Sequence, residues 1–425
     1  MKIKIVILIM LFHPIVSKAL TKKEAFENLQ ASAKWNLTKT LQDESNQKAL
    51  EAESEFRPHV QVALKQLVAR INPIQYGSNN QVEVIDTVGF GSSSIQMEWA
   101  IANPVAAAQI LMTKAQAKVS GHQAREYQND LTALMLLSYL NVQKLERQLA
   151  TTEVSLKKSN LIFKLATSKR KIGAGIPLEV ARAKGLVGLD QVKKMVALTK
   201  LLKSKHDLEK LLDIQKLPSE LEKLNPQIVG TLDSHSYMSA AFETRADLKS
   251  AEALRDSSIL LKQQSSSWFL PKVALFAEAG TVQPTFLGLP AKTLNGAVGI
   301  SFMIPLESGG LITAKRREAQ IANYRAEINL KEKKQEILLQ VKEALESVAA
   351  AEEALTVARN YIGTSTEEAN IAEKRFFSGM SNILDLSSAH TNRAIADDTL
   401  TESEFNFEAA RINYYRVLGD FKDYF

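Results

Sequence analysis

The sequence predicts a mainly α-helical, exported protein that adds a few short membrane β-strands to long antiparallel coiled-coil hairpins. Three observations support this fold class: a secretory leader, a repeat that divides the chain into two similar halves, and heptad seams inside both halves. The chain has 425 residues but only 18 glycines and 11 prolines. A chain with so few helix breakers suits long, uninterrupted helices.

Residues 1–19 form the leader. Lys2 and Lys4 precede an apolar run over residues 5–16, and Ser17 and Ala19 place small side chains at the cleavage site. This pattern predicts a signal peptide that is removed after Ala19, because the apolar run is too short to span a bilayer. No later stretch approaches a spanning helix. If the mature protein crosses a membrane, it must therefore do so with β-strands.

Composition and motifs exclude several classes of site. The chain has no cysteine, which rules out disulfides, thiolate metal sites, thiol catalysis and a lipidated N-terminal cysteine. Its net charge of +6 is modest and does not indicate nucleic-acid binding. The histidines lack metal-binding spacing, and no P-loop, dinucleotide fingerprint or nucleophile elbow occurs. We predict no catalytic residues, no metal site and no cofactor, and expect that the protein is not an enzyme.

An internal duplication organises the mature chain. The pattern G-x-x-x-x-L-[DE]-[VL]-x-x-A occurs at 173–183 and again at 379–389. The segments on both sides of the two copies also match at the same offset, without insertions, which indicates one repeated unit. We predict a first repeat over 20–215, an inter-repeat linker over 216–236 and a second repeat over 237–425.

Heptad seams lie beside both copies of the pattern. In the second repeat the seam residues are spaced alternately by four and three: Ile337, Val341, Ala344, Val348, Ala351, Leu355, Ala358 and Ile362. The corresponding residues of the first repeat are Met135, Ser138, Val142, Leu145, Leu149, Thr152 and Leu156. A period of 3.5 predicts left-handed coiled coils. Each repeat should therefore contain a long helical hairpin, and a helix over 105–172 would extend for about 100 Å.

The hairpins reverse at the glycine patterns, which we call the first tip (residues 173–180) and the second tip (residues 379–386). Glycines there permit the positive φ that a tight reversal requires. Glu179 and Asp385 follow in the first turn of the returning helices, where the helix dipole favours an acid. Simple capping accounts for Glu179 at least as well as a role in ion gating does. For Asp385 the two interpretations are equally supported.

Each repeat also carries a pair of candidate strands between its helices. The predicted strands lie at 56–64 and 94–101, within about 56–102, and at 269–277 and 298–305, within about 269–306. The predicted loops between them lie near 72–91 and 283–295. Alternation of apolar and polar residues is typical of membrane strands. Because the smallest membrane barrels have about 8 strands and lipid does not tolerate open edges, four strands would require more than one subunit.

Several motifs, in this order, resemble the TolC family of outer-membrane efflux proteins, and the resemblance covers nearly the whole mature chain. They are the opening helix at 20–25, the Arg245-Ala-Asp247-Leu248 stretch, the Phe269-x-Pro271 strand start, the 305–310 strand exit with Arg316 and Arg317, and the two tips. The resemblance implies a homotrimer in which three subunits share a 12-stranded β-barrel, four strands each, and a periplasmic trimeric α-barrel of twelve helices.

The resemblance also implies a function. Members of the family are exit channels in the outer membrane, which carry drugs, metal ions or secreted proteins in tripartite efflux or type I secretion systems. Their partners are a periplasmic adaptor (a membrane fusion protein), an inner-membrane transporter and outer-membrane lipid, with no nucleic acid. The family docks its adaptor at the tips, which here contain Gly173, Gly175, Leu178, Glu179, Val180, Gly379, Ser381, Leu384, Asp385 and Leu386.

Asp385 matches the acidic constriction at the family's tunnel mouth. This chain departs from the family where a second aspartate is expected, since Ser388 occupies that position. The family's polar tip-closing positions correspond to Phe376 and Ser381. We therefore expect the closed state to be latched less tightly, or in a different way.

Two other function classes compete with a channel. A soluble periplasmic adaptor or scaffold would also contain coiled-coil hairpins and a small β domain, but it would carry one helical hairpin rather than two. Here both the helical hairpin and the strand pair occur twice, which favours the channel. An enzyme is the weakest alternative because no residues would carry the chemistry.

Overall fold

The structure is a computed structural model that describes most of the chain. The described residues are 19–69, 74–76, 82–84, 88–173, 175–218, 221–222, 234–286, 289–290, 293–304, 309–378, 380–421 and 424. The predicted leader over 1–18 and Gly379 of the second tip lie outside them.

The two halves of the chain share one order of elements: two helices, a set of strands, and two long helices. The first half contains α1 (Lys22–Ala31), α2 (Ala33–Ser54), β1 (His59–Ala69), β2 (Ile74–Tyr76), β3 (Val82–Val84), β4 (Val88–Ala102), α3 (Pro104–Lys171) and α4 (Pro177–Leu212). The second contains α5 (Ser234–Thr244), α6 (Ala246–Ser267), β5 (Lys272–Phe286), β6 (Leu289–Pro290), β7 (Thr293–Met303), α7 (Leu311–Phe377) and α8 (Ile383–Leu418). The long helices match in length, since α3 and α7 have 68 and 67 residues and α4 and α8 have 36 each, while the duplication itself stays a prediction from the sequence.

The chain forms two compact units, and each unit takes segments from both halves. One unit consists of Met1–Thr40, Ala124–Ala246 and Lys334–Phe425, and the other of Leu41–Gln123 and Asp247–Lys333. The first unit contains both tips and the heptad seams. The second contains the strands. The predicted domain boundaries follow the two repeats. They remain a prediction, because the two compact units divide the chain at different residues.

The four long strands form one antiparallel sheet in the order β1-β4-β5-β7, with β6 added to β5, while β2 and β3 pair separately. Each of the four extends beyond its predicted range at one end at least. β4 begins at Val88 and β5 ends at Phe286, inside the predicted loops, whereas β1 and β5 begin three residues after the predicted starts. Pairing with a neighbouring strand explains the extensions, since Gly89 pairs with Thr285 although neither belongs to an alternating apolar pattern.

The residues of the predicted heptad seams are buried or partly buried. Ile337, Val341 and Leu355 are each 1% exposed, and Met135 and Val142 are fully buried. The partners that return along α4 and α8 are buried too, since Leu208 and Phe407 have no exposed surface. The predicted coiled-coil hairpins are therefore confirmed as packed elements of the first compact unit, which we call the helical unit.

Tyr139 of α3 fastens two distant segments to this core. Its fully buried hydroxyl donates to the carbonyl of Leu20 at 2.5 Å and accepts from the backbone N–H of Glu222 at 3.0 Å. Burial raises the pKa of Tyr139, so the phenol keeps the proton that it donates. Tyr139 thus contacts both the segment that follows the predicted leader and the predicted linker, which also pair directly through the Glu222 N–H and the Leu20 carbonyl.

Among the described residues, none of the helices has an apolar stretch long enough to cross a lipid bilayer.

Candidate functional site

The first tip reverses the chain with glycine and proline instead of a side-chain cap. α3 ends at Lys171, and the backbone N–H of Gly173 donates to the carbonyl of Arg170 at 3.1 Å with φ at +77°. Such a φ favours glycine, because a Cβ there strains the backbone. Pro177 then begins α4, while its N-cap residue Ile176 offers no side-chain hydrogen bond.

Gly175 is required for a different reason, which is the closeness of the preceding helix. A Cβ built on Gly175 would lie 2.9 Å from the backbone nitrogen of Arg170 and 3.1 Å from the carbonyl carbon of Lys169. Neither is a flexible side-chain end that could move aside. The first tip therefore depends on two glycines with separate functions, one for backbone conformation and one for space.

The second tip is closed by a side-chain cap. Asn382 is the N-cap of α8, and its side chain accepts from the backbone N–H of Asp385 at 2.9 Å. The Asp385 carboxylate in turn accepts from the backbone N–H of Asn382 at 3.4 Å. This capping box satisfies two N–H groups that the helix leaves unpaired. The structure thus gives Asp385 a capping role, and its exposed carboxylate leaves the predicted constriction role untested.

The predicted docking residues divide into exposed and buried groups. Leu178 and Leu384 are 52% and 51% exposed, and Asp385 is also exposed. Gly173 is exposed, while Gly175, Glu179, Val180 and Ser381 are partly buried. Leu386 is 2% exposed and lies in the core behind the tips. Leu386 cannot contact a partner in this arrangement, so we remove it from the predicted docking surface.

Exposed apolar residues that the sequence analysis did not select enlarge this surface. Ile172 and Ile176 at the first tip are 79% and 56% exposed, and Phe377 and Met380 at the second are 67% and 70% exposed. Ile172 and Phe377 were missed because the repeated glycine pattern begins after them, and Ile176 and Met380 because they occupy variable positions of the pattern. Large apolar side chains that remain exposed at a helix reversal indicate a surface that binds another protein, because they do not pack in the core of this chain.

Behind the surface, the two hairpin ends share one apolar core. The core contains Ile162, Ala166, Ala183, Phe376, Ile383 and Leu386, and Val180 packs against it. Phe376, at 3% exposure, is its largest member. The ammonium of Lys169, from the first hairpin, lies 3.8 Å from the ring centroid of Phe376 in the second. The two tips are therefore held together by packing and by a cation–π contact.

A partly buried charge cluster connects three helices next to this core. The Glu373 carboxylate of α7 accepts a hydrogen bond from the Lys158 ammonium of α3 and lies 3.1 Å from Nε2 of His390 on α8. The hydrogen bond from Lys158 lowers the pKa of Glu373. Burial, followed by the charge of Lys158, lowers the pKa of His390. The cluster is thus a fixed Lys–Glu ion pair beside a neutral imidazole.

The sheet of the other unit has two chemically different faces, and strand alternation assigns each side chain to one of them. The apolar face carries exposed large side chains on three strands: Val60, Val62, Leu64, Ile95, Trp99, Val298 and Ile300. The polar face carries Gln61, Lys65, Ser94, Gln96, Glu98, Phe276, Glu278, Asn295 and Ser301. Val60, Leu64 and Val298 are 65%, 77% and 83% exposed. A sheet that remains in water would bury such a face.

Comparison with known proteins gives a family for the second half of the chain. Residues 237–420 match the family model described as outer membrane efflux protein. The matched range lies within the predicted second repeat, residues 237–425. A search of curated protein sequences found no match.

Solved structures give the fold of the whole chain. A membrane protein from Pseudomonas aeruginosa is 18% identical, with a TM-score of 0.79 over 93% of this chain and 90% of its own. The Campylobacter jejuni CmeC outer membrane channel is 14% identical, with a TM-score of 0.78 over 95% and 88%. The open state of the Neisseria gonorrhoeae MtrE outer membrane channel is 15% identical, with a TM-score of 0.76 over 94% and 88%.

These likenesses confirm the predicted fold class and the predicted resemblance. The chain is mainly helical with a small antiparallel sheet, and it has the fold of outer membrane channels over nearly its full length. The family match and the shared fold support the channel interpretation over the periplasmic adaptor.

Proposed function

We propose that this chain, whose second half matches the outer membrane efflux protein family, is the passive exit channel of a tripartite efflux or type I secretion system. It would lie in the outer membrane with its helical unit in the periplasm. The role needs no catalytic residue and no cofactor, because the channel only conducts what an inner-membrane transporter delivers.

The two-faced sheet is the observation that carries this proposal. Exposed valine, leucine and isoleucine side chains on one face are suited to lipid, whereas the opposite face offers amide, hydroxyl and carboxylate groups suited to water. The outer strands β1 and β7 are each hydrogen-bonded to one neighbour within the described sheet. Lipid does not tolerate unpaired strand edges, so β1 and β7 need partners from other copies of the chain.

A homotrimer meets this need with the twelve strands that the family resemblance implies. Three copies of a four-stranded sheet would pair edge to edge and enclose the polar face. The same arrangement would bring three pairs of tips around one axis. We propose that the periplasmic adaptor docks there, on the exposed apolar residues of both tips, Leu178 and Leu384 among them.

Asp385 would contribute three carboxylates at the mouth of the helical tunnel. A ring of acidic side chains selects for cations. Its capping bond with Asn382 is compatible with this role, because the carboxylate remains exposed while one oxygen accepts the backbone hydrogen bond.

The proposal is tested by the mass of the detergent-extracted protein, measured by light scattering with the bound detergent subtracted, together with membrane fractionation. We expect a trimer in the outer-membrane fraction. A monomer or dimer in the soluble periplasmic fraction would mean that the strands do not span lipid, and the adaptor alternative would replace the channel.

A further inference from the structure

A hydrogen-bonded row of side chains crosses three strands on the polar face of the sheet. Gln61 of β1 pairs in register with Gln96 of β4, which pairs with Glu278 of β5. The amide of Gln61 donates to the side-chain oxygen of Gln96 at 3.0 Å, and the amide of Gln96 donates to the Glu278 carboxylate at 2.9 Å. The donors all point towards Glu278, so the row ends on its negative charge.

The register of this row is fixed by close packing of the backbones. Gly280, two residues further along β5, would place a Cβ only 2.4 Å from the carbonyl oxygen of Ser93 and 2.5 Å from the Cβ of Ser94. Only glycine fits this approach, which holds β5 against β4 beside Glu278. Glu278 is therefore exposed to solvent, yet its carboxylate is held by the Gln96 amide on a strand whose register is fixed.

The other charged groups on this face are held less firmly. Glu98 also lies on the polar face, one pair away along β4, next to Phe276. It makes no side-chain hydrogen bond with any residue that the structure describes. Phe276 itself lies over Gly299 of β7, where a Cβ would come within 2.7 Å of the ring. Two lysines of the described strands lie on this face: Lys65 is four residues from Gln61 on β1, and Lys272 is six residues from Glu278 at the start of β5.

We propose that Glu278 is the residue of the sheet that makes the channel prefer cations. This inference rests on the proposed function, because the polar face borders the passage only if three copies close a barrel. The three Glu278 carboxylates then form a ring inside it, held at equal height by the Gln61 and Gln96 amides. Negative rings of this kind attract cations and repel anions of the same size. The substrate class that benefits is small hydrated or organic cations.

The absence of cysteine makes a clean experiment possible. In Glu278→Cys the new thiol is unique, since the natural chain has none. The assembled trimer is inserted into a planar bilayer under a KCl gradient, and the reversal potential gives the potassium-to-chloride permeability ratio. Methanethiosulfonate reagents then attach either a sulfonate or a trimethylammonium group. Because each reagent acts after assembly, a folding defect cannot imitate the result.

We expect the natural channel to prefer potassium, and Glu278→Gln to lower the permeability ratio by about fivefold. In Glu278→Cys the sulfonate should restore the preference and the trimethylammonium should reverse it. Glu98→Gln removes the same charge from the same face and is the matched control, with a change below about twofold expected for a carboxylate that is not held in place.

The outcomes separate this inference from the proposed function. Conduction with an unchanged ratio in Glu278→Gln, or an equal change in Glu98→Gln, overturns the assignment of Glu278 alone. An inserted trimer that never conducts overturns the proposed function, and this inference with it.

Discussion

The two tips perform the same reversal with different chemistry. The first depends on Gly173 and Gly175 and begins its returning helix with Pro177, without a side-chain cap. The second begins its returning helix with the Asn382–Asp385 capping box. The comparison shows that a duplicated hairpin keeps its length and core while its two ends use different solutions to the unpaired N–H groups.

The difference is small in sequence terms. In the first tip Glu179 already occupies the third helical position, where a capping box needs an acid, but the N-cap residue is Ile176. In the second tip Asp385 has the same position and Asn382 supplies the cap. One residue thus separates the first tip from the capped arrangement of the second.

The largest effect is expected from the core that both tips share. Phe376→Ala should lower the free energy of opening of both hairpin ends by about 3–5 kcal/mol, because it removes a buried ring and leaves a cavity. Hydrogen exchange of backbone amides over 160–190 and 370–395, read by mass spectrometry, measures this opening. Phe377→Ala is the matched control, since Phe377 is 67% exposed. Faster exchange at only the second tip would show that the two ends do not depend on one core.

An intermediate effect is expected from the glycine that the first tip alone requires for space. Gly175→Val should destabilise the first tip by about 1–3 kcal/mol, because the backbone of α3 must move away from the new Cβ. Exchange should accelerate over 168–180. Gly185→Ala provides the comparison, since a Cβ at that helical position meets nothing within 4 Å. Unchanged exchange over 168–180 in Gly175→Val would mean that α3 moves away from the new Cβ without a loss of stability.

The smallest effect is expected from exchanging the caps. Asn382→Ala should destabilise the start of α8 by about 1 kcal/mol, and Ile176→Asn should stabilise the start of α4 by a similar amount. Amide exchange in the first turn of each helix measures both changes. In the double variant, amide exchange should therefore accelerate at the start of α8 and slow at the start of α4. Unchanged exchange at α4 would indicate that Pro177 and the glycines already fix that end fully.

Much of the helical unit was predictable because its signals are local. The predicted helix over 105–172 corresponds to α3 at Pro104–Lys171. Its length was predictable because a heptad seam and the glycines that end the helix are both patterns of neighbouring residues. The break after Ala31, where Ser32 adopts an extended conformation, was missed. Ser32 carries no strong stop signal, and its hydroxyl instead bonds the carbonyl of Leu29 at 2.6 Å.

The candidate surfaces were predicted less completely. Sequence analysis selected the tips correctly as the places of reversal, yet it could not separate exposed Leu384 from buried Leu386. Both lie in one turn of α8, and only the packing of Phe376 and Ile162 against that turn decides which side chain faces the core. Similarly, the sequence predicts loops where β4 begins and β5 ends, because the glycines and serines of β4 and Pro284 of β5 lie in strands there only through pairing across the sheet.

The sequence by itself determined the repeat, the lengths of the long helices, the buried seams and the position of both tips. These properties follow from periodicity and from helix-breaking residues, which act between neighbours in the chain. The tertiary structure decided the strand register, the exposure of each tip residue and the row that joins Gln61 and Gln96 to Glu278. Those contacts join segments that are remote in sequence, and no local pattern specifies which remote residue a side chain will meet once the chain has packed.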